Sequence, residues 1–154
     1  MNKSILIEYA DMKEEIKDLR RRIEEGERRL IKLNNSIVGD VVICGRKGKK
    51  PLGTVEIKGT PYIAISRTKA LLKSRVHKLE ELELELLELT NQVEEYIEQI
   101  QKSEIRTMFR FYYIDGITWE MVAMRMNCMF PTRKIAYTKD NCRIRHDRFL
   151  EKVL

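Results

Sequence analysis

One stretch near the end of the chain decides its organisation, the run Ile114-Asp115-Gly116-Ile117-Thr118-Trp119-Glu120-Met121-Val122-Ala123. Asp115-Gly116 predicts the end of a helix that begins at Ser103, because glycine readily adopts the left-handed conformation found at helix ends. Thr118 is then expected to cap a second helix, since its hydroxyl can accept hydrogen bonds from the first amides of a helix. On that helix, four residues recur at the spacing of a buried face: Trp119, Val122, Ala123 and Met126.

A final, basic helix is predicted to begin after the capping residue Thr138. Its inward positions are Cys142, His146, Phe149 and Val153, and its outward positions are Asp140, Asn141, Arg143, Ile144, Asp147 and Arg148. Asn and Arg side chains can bind phosphates and read base edges, as a recognition helix requires. We therefore interpret residues 103–154 as a helix-turn-helix module for double-stranded DNA. Its predicted contacts are Arg133, Lys134, Lys139, Asn141, Arg143, Ile144 and Arg148, and the alternative is a basic solvated helix in a protein-binding module.

The distribution of charge also favours nucleic acid. The formal net charge is +6, and residues 103–154 carry 10 Lys and Arg against 6 Asp and Glu, while residues 37–69 carry 7 against 2. Basic segments attract phosphates through counterion release, so nucleic acid is the expected partner, although a basic surface can also simply keep a protein in solution.

Two long heptad patterns precede the C-terminal module. The first contains one glycine among its apolar positions: Ile5, Tyr9, Met12, Ile16, Leu19, Ile23, Gly26, Leu30, Leu33 and Ile37. The second consists of Leu72, Val76, Leu79, Leu82, Leu86, Leu89, Val93, Tyr96 and Ile100. Because each narrow stripe must be covered by another helix, residues 1–102 are predicted to form a long antiparallel hairpin, a coiled coil. At Gly26 the partner backbone could approach closely, or the helix could bend.

The number of chains in the assembly is suggested by two further residues. Leu84 and Leu87 fall outside the main stripe of the second helix and supply a second apolar stripe. Because a two-stranded hairpin buries little surface by itself, we expect a homo-oligomer, with a dimer favoured.

The connector between the two long helices, residues 37–67, changes period. Two β-branched runs, 41–44 and 54–57, flank the loop Gly45-Arg46-Lys47-Gly48-Lys49-Lys50-Pro51-Leu52-Gly53, which predicts a small β-hairpin with a basic loop at the tip of the helical hairpin. The loop lacks the Gly-x-x-x-x-Gly-Lys-Ser/Thr pattern of phosphate-binding loops. Its cations are candidate contacts to DNA or to a protein, and an ordinary exposed loop is the alternative: Arg46, Lys47, Lys49 and Lys50. Ser66 or Thr68 is expected to cap the second long helix.

Residues 112–123 also carry a family resemblance. They resemble the "Arg-Tyr, acidic-Gly, Ser/Thr-Trp, Val/Ile-Ala" signature of sigma-70 region 4-like proteins of phages and prophages of Firmicutes, the ArpU/RinA-type late transcription regulators. Residues 140–150 resemble their recognition helix, and residues 40–53 resemble a segment of clostridial prophage members. The resemblance implies DNA binding that regulates phage transcription, with recognition positions at Asn141, Arg143, Ile144 and Arg148. For such a regulator we expect the helical hairpin either to pair protomers or to contact RNA polymerase. Because the loop before Thr138 is longer than in that family, and the sequence shows no promoter-melting segment, we expect a regulator rather than a complete sigma factor.

Other chemistry is weakly supported by the sequence. Cys44, Cys128 and Cys142 form no Cys-x-x-Cys pair, and no apolar run approaches the roughly 18 residues of a membrane span, so we expect a cytoplasmic protein without a membrane partner. Cys142 and His146 are four residues apart, but a structural zinc site needs four ligands, and this face is the expected core face. Because His77 is the one other histidine, no catalytic set can be assembled, and we expect no metal, no cofactor and no enzyme.

These observations lead to one hypothesis and two rivals. The leading hypothesis is a mainly α, dimeric, sequence-specific DNA-binding transcription regulator of phage or prophage origin. A terminase small subunit for DNA packaging would also combine a helix-turn-helix with helical oligomerisation segments. A protein-binding adaptor, such as an anti-repressor, would use the same helices without DNA.

Overall fold

The structure is a computed structural model that describes residues 3–45, 48 and 53–152. It is mainly helical, as the sequence predicts, with α1 at Ser4–Asn34, α2 at Tyr62–Glu98, α3 at Ser103–Phe109, α4 at Trp119–Met129 and α5 at Lys139–Lys152. Two strands, β1 at Val38–Cys44 and β2 at Gly53–Gly59, lie between α1 and α2 in the chain. The chain divides into two compact units, one formed by Ile16–Glu81 and one formed by Met1–Glu15 with Leu82–Leu154.

Helix α2 begins earlier than the sequence predicts. It starts at Tyr62, directly after Pro61. The Ile65 amide donates to the Pro61 carbonyl at 3.0 Å, which is the first hydrogen bond of the helix. Proline is well tolerated at a helix start, because its missing N–H would have no helical partner there. Ser66 and Thr68, the predicted caps, therefore lie inside the helix, where the Thr68 hydroxyl donates to the carbonyl four residues earlier at 2.8 Å. The predicted connector, 37–67, is thus wrong at its C-terminal end.

In the unit Ile16–Glu81, α1 and α2 pack side by side and antiparallel. Arg75 Nη1 donates to the Arg22 carbonyl at 3.1 Å. Further along α1, a Cβ placed on Gly26 would lie only 2.6 Å from Leu72 Cδ2, and Leu72 precedes Arg75 on α2. Gly26 therefore makes room for the Leu72 side chain of α2. The sequence had suggested a close approach of the partner helix's backbone, or a bend in α1. Three positions of the predicted stripe are buried in this unit: Ile16, Leu19 and Ile23.

The connector forms an antiparallel β-ribbon, in which Val38 lies opposite Gly59 and Val42 lies opposite Val55. Both predicted strands are confirmed, and each extends to seven residues. Every residue of β2 is exposed. Ile37, predicted as the last stripe position of the first helix, is 74% exposed, because α1 has already ended at Asn34. The predicted tip contacts lie outside the described residues: Arg46, Lys47, Lys49 and Lys50.

The other unit has a core to which the start of α1, the end of α2, α3 and α5 all contribute. Its buried residues include Leu6, Val93, Phe109 and Leu150, which come from these four helices in turn. The domain boundary predicted from the sequence lies between residues 102 and 103. Since residues from both sides of that boundary share one core, this unit extends across it.

The helix after α3 departs from regular geometry. Residues Arg110–Ile114 form a π-helical segment, where an amide donates to the carbonyl five residues earlier at 3.1 Å. The wider turn directs two consecutive aromatic residues into the core, with Tyr113 buried and Tyr112 half-buried. Gly116 then ends the helix with a φ of 64°, which confirms the predicted left-handed glycine.

Candidate nucleic-acid interface

Helices α3, α4 and α5 form the scaffold of the predicted interface. Their shared core consists of buried side chains: Met108, Val122, Ala123, Met126, Tyr137 and Cys142. Half-buried Trp119 stacks on Tyr112, with ring centroids 4.1 Å apart and planes at 15°. The predicted core residues of α4 are confirmed, and the packing fixes α5 through its inner face.

The first turn of α4 is stabilised by a carboxylate rather than by a threonine cap. Thr118 occupies the predicted N-cap position, but its side chain makes no capping hydrogen bond, so the position is confirmed and the hydrogen bond is not. Glu120 is the acidic residue of the first turn, where a negative charge is favourable. Lys139 of α5 pairs with the same carboxylate, and this contact is the main reason why the pKa of Glu120 lies below its usual value. Lys139, a predicted DNA contact, therefore joins the starts of α4 and α5.

The loop between α4 and α5 is held by one asparagine. The Tyr137 amide donates to Asn127 Oδ1 at 2.7 Å, and Asn127 Nδ2 donates to the Tyr137 carbonyl at 2.9 Å. The Tyr137 ring is buried, and its hydroxyl donates to Glu104 of α3 at 2.9 Å. These contacts order the residues before α5 even though the loop is longer than a tight turn.

The start of α5 confirms the predicted cap and gives Asn141 a structural role. The Asn141 amide donates to Thr138 Oγ1 at 3.3 Å, and the Thr138 amide donates to Asn141 Oδ1 at 3.1 Å. This reciprocal pair is a capping box with asparagine in place of the usual Glu or Gln. Asn141 Nδ2 also donates to the Ala136 carbonyl at 3.0 Å. Both polar atoms of the side chain are thus engaged in the cap.

The inner face of α5 contains the predicted Cys142 and His146, and also Leu150, which the sequence analysis missed. Phe149 is half-buried, and Val153 lies outside the described residues. His146 Nε2 lies 2.9 Å from the Tyr113 hydroxyl, and Nδ1 lies 2.9 Å from Asp147 Oδ1. Burial lowers the pKa of His146, although the hydrogen bond to Asp147 acts in the opposite direction.

The outer face of α5 is open to solvent. The predicted recognition residues Arg143, Ile144 and Arg148 are exposed there, and the Arg143 side chain is 68% exposed. At about 100° per residue, Arg143 and Arg148 lie about 140° apart around the helix axis, with Ile144 between them. They therefore border a broad surface. Arg143 Nε lies 4.0 Å from Asp147 on this surface, an exposed pair that contributes little to stability.

Glu104 organises the basic residues beside α5. It pairs with Arg133, a predicted DNA contact, and also accepts a hydrogen bond from Arg145 Nη1 at 3.5 Å. Both guanidinium groups lie over the Tyr137 ring, at 6.0 Å for Arg133 and 5.2 Å for Arg145. Lys134, the other basic residue predicted in this loop, is exposed. Sequence reasoning missed Glu104 and Arg145, and the only available signal was the acidic residue in the first turn of α3.

An open cleft of about 1060 Å³ adjoins this cluster, between the end of α2, the start of α3 and α5. Five cations line it: Lys102, Arg133, Arg145, Arg148 and Lys152. Its lining also includes the apolar side chains of Ile100, Ile105 and Phe149. We call it the basic cleft. The sequence did not predict it, because residues 96–105 and 133–152 come together only in the fold.

The free cysteines Cys128 and Cys142 differ in exposure. Cys142 is fully buried, which raises the pKa of its thiol, whereas Cys128 is exposed. Across residues 3–45, 48 and 53–152, no three His, Cys, Asp or Glu side chains form a group that could hold a metal ion. No helix in the same part of the chain has the length and apolar composition needed to cross a membrane.

Comparisons with protein-family models, with curated proteins and with solved structures found no match to this chain. The feature of this chain that bears on function is α5, a basic helix that is packed against α3 and α4 on one side and exposed on the other.

Proposed function

We propose that this chain is a sequence-specific DNA-binding transcription regulator of phage or prophage genes. On this proposal, α4 and α5 are a sigma region 4-like helix-turn-helix, and α5 is the recognition helix. Helices α1 and α2 form a coiled coil that pairs protomers into a homodimer or meets RNA polymerase.

The observation that carries the proposal is the two-sided character of α5. Its inner residues Cys142, His146 and Leu150 are buried, while its outer residues Arg143, Ile144 and Arg148 are exposed. A recognition helix needs this combination, because it must be held rigidly while its polar side enters a groove of the duplex. The positive balance of residues 103–154, 10 Lys and Arg against 6 Asp and Glu, favours an anionic partner.

The residues of the family resemblance have structural roles that agree with the proposal. Gly116 adopts a left-handed conformation between the first two helices of the module. Trp119 stacks on Tyr112 across those helices, and Ala123 is buried in their shared core. Asp115 pairs with Arg125 of α4 at 2.9 Å, which joins the turn to the second helix. The motif therefore builds the support on which α5 rests.

The contacts proposed for DNA differ from the set predicted from sequence. Arg143 and Arg148 border the outer face and have the length to reach base edges or phosphates, while Ile144 offers an apolar contact between them. Lys134 is exposed in the preceding loop and suits a phosphate contact. We leave out Asn141, because both polar atoms of its side chain belong to the cap of α5. A base-reading role would require opening that cap.

The test is the double variant Arg143→Ala with Arg148→Ala, assayed by gel shift on DNA fragments selected from phage and host genomes. Loss of one good bidentate contact costs about 1–3 kcal/mol, so two contacts correspond to at least roughly 30-fold weaker binding. The matched control is Arg29→Ala with Arg67→Ala, which removes the same charge from exposed positions in the unit Ile16–Glu81.

Unchanged binding by the double variant, with circular dichroism showing an intact fold, would remove α5 from the proposal. The salt dependence of wild-type binding provides a second check, because phosphate contacts make affinity fall steeply with salt. If the wild-type protein fails to bind even random DNA at low salt, a protein-binding adaptor replaces the regulator.

A further inference from the structure

The basic cleft has the chemistry of a site for an acidic and partly apolar partner. Its cations surround apolar side chains, and Glu104 is the carboxylate among its lining residues. Glu104 already neutralises part of the charge of Arg133 and Arg145, and Arg148 belongs to the proposed DNA surface, so Lys102 and Lys152 remain to attract an anionic partner. Phosphates alone would not use the apolar lining formed by Ile100, Ile105 and Phe149. A helix with glutamates beside leucines would use both features.

The chain itself contains such a helix surface. Residues 82–98 of α2 include six Glu and no Lys or Arg. Leu84 and Leu87 are 67% and 60% exposed, so two large apolar side chains on this stretch of α2 face solvent. At about 100° per residue, these leucines share a sector of about 100° with two exposed glutamates, Glu88 and Glu95. We call these four residues the acidic leucine stripe.

We infer that the acidic leucine stripe of one copy docks in the basic cleft of a second copy. The two surfaces are complementary in charge. The stripe adds two exposed leucines, and the cleft adds the half-buried side chains of Ile105 and Phe149. Burial of the leucine side chains stabilises the contact, and the surrounding charges orient the encounter.

A two-fold axis allows both contacts to form at once. The stripe and the cleft belong to the same compact unit, so a symmetric pair places each stripe on its partner's cleft. Two copies of the contact then stabilise one dimer. The inference rests on the homodimer part of the proposed function and not on DNA binding, which can be measured separately.

The test measures the mass of the full-length chain by sedimentation at up to roughly 100 µM, where a micromolar dimer is nearly complete. Leu84→Ser with Leu87→Ser should weaken the dimer at least about ten-fold, because it removes apolar area from the contact. Lys102→Glu with Lys152→Glu should weaken it by a similar factor. Lys69→Glu with Lys73→Glu makes the same charge change in the unit Ile16–Glu81 and should leave the dimer intact.

A charge exchange gives the sharpest result. The stripe variant Glu88→Lys with Glu95→Lys should also weaken the dimer about ten-fold when alone, and mixing it with the cleft variant Lys102→Glu with Lys152→Glu should restore the affinity of the wild-type dimer. All these positions are exposed, so circular dichroism is expected to show an unchanged fold. A wild-type monomer at the highest concentration overturns the inference, and so does a dimer indifferent to the cleft changes. If the cleft variant loses DNA binding but keeps its dimer, the cleft is a phosphate site and the inference is wrong.

Discussion

Replacing Asn127 with alanine should loosen the support of α5. The side chain accepts a hydrogen bond from the Tyr137 amide at 2.7 Å and donates one to the Tyr137 carbonyl at 2.9 Å. Each such bond contributes about 1 kcal/mol net, and a backbone group left without a partner beside a buried side chain costs more. Tyr137 is only 4% exposed, so water reaches this site poorly. We therefore expect Asn127→Ala to lower the free energy of unfolding by about 2–4 kcal/mol.

Urea denaturation followed by circular dichroism measures this loss, and hydrogen exchange at the Tyr137 amide locates it. The matched control is Asn91→Ala, at an exposed position of α2, which should change stability by less than about 0.5 kcal/mol. A loss as small as the control, with Tyr137 still protected from exchange, would show that the two hydrogen bonds do not hold the loop.

Two further predictions concern the core of each unit. Burial holds the pKa of His146 below its ordinary value of 6.5, so the unfolded chain binds the proton more readily and stability should fall as the pH drops below about 6.5. The variant His146→Gln should lose this part of the pH dependence. If the urea midpoints of both proteins changed by the same amount between roughly pH 7.5 and 5.5, the prediction would be contradicted. Gly26→Ala gains about 1 kcal/mol of helix propensity but places its Cβ 2.6 Å from Leu72 Cδ2. In the wild-type background we expect Gly26→Ala to leave the free energy of unfolding almost unchanged, and in the Leu72→Ala background we expect it to raise this free energy by about 1 kcal/mol. Thermal unfolding measures both values. Equal effects in the two backgrounds would refute the steric argument.

Features that follow from periodicity could be predicted from the sequence. The buried positions Cys142 and His146 and the exposed positions Arg143 and Ile144 all follow from the 3.6-residue repeat of α5. The two strands and most positions of the stripes in α1 and α2 follow from the same kind of argument, but the predicted stripe residues Val76 and Ile37 are 40% and 74% exposed. In each case, burial of apolar side chains dominates the energetics, and it leaves a regular pattern in the sequence.

Features that depend on one polar group choosing among several partners could not be predicted. Thr118 and Thr138 look equivalent as helix caps, yet only Thr138 makes the capping hydrogen bond, and there Asn141 completes the capping box. The basic cleft joins residues up to 56 positions apart, from Tyr96 to Lys152, and nothing local marks them as neighbours. Which partner a polar side chain takes depends on small free-energy differences between contacts that form only in the folded chain.

The wide turn at Arg110–Ile114 also affects how this chain can be aligned with others. A turn of this width holds one residue more than an α-helical turn, and the helix ends directly after it at Gly116. A related chain with a regular α-helix here would need one residue fewer between Phe109 and Gly116. Aligning the two chains would then require a single-residue gap inside a helix, a position where gaps are ordinarily penalised.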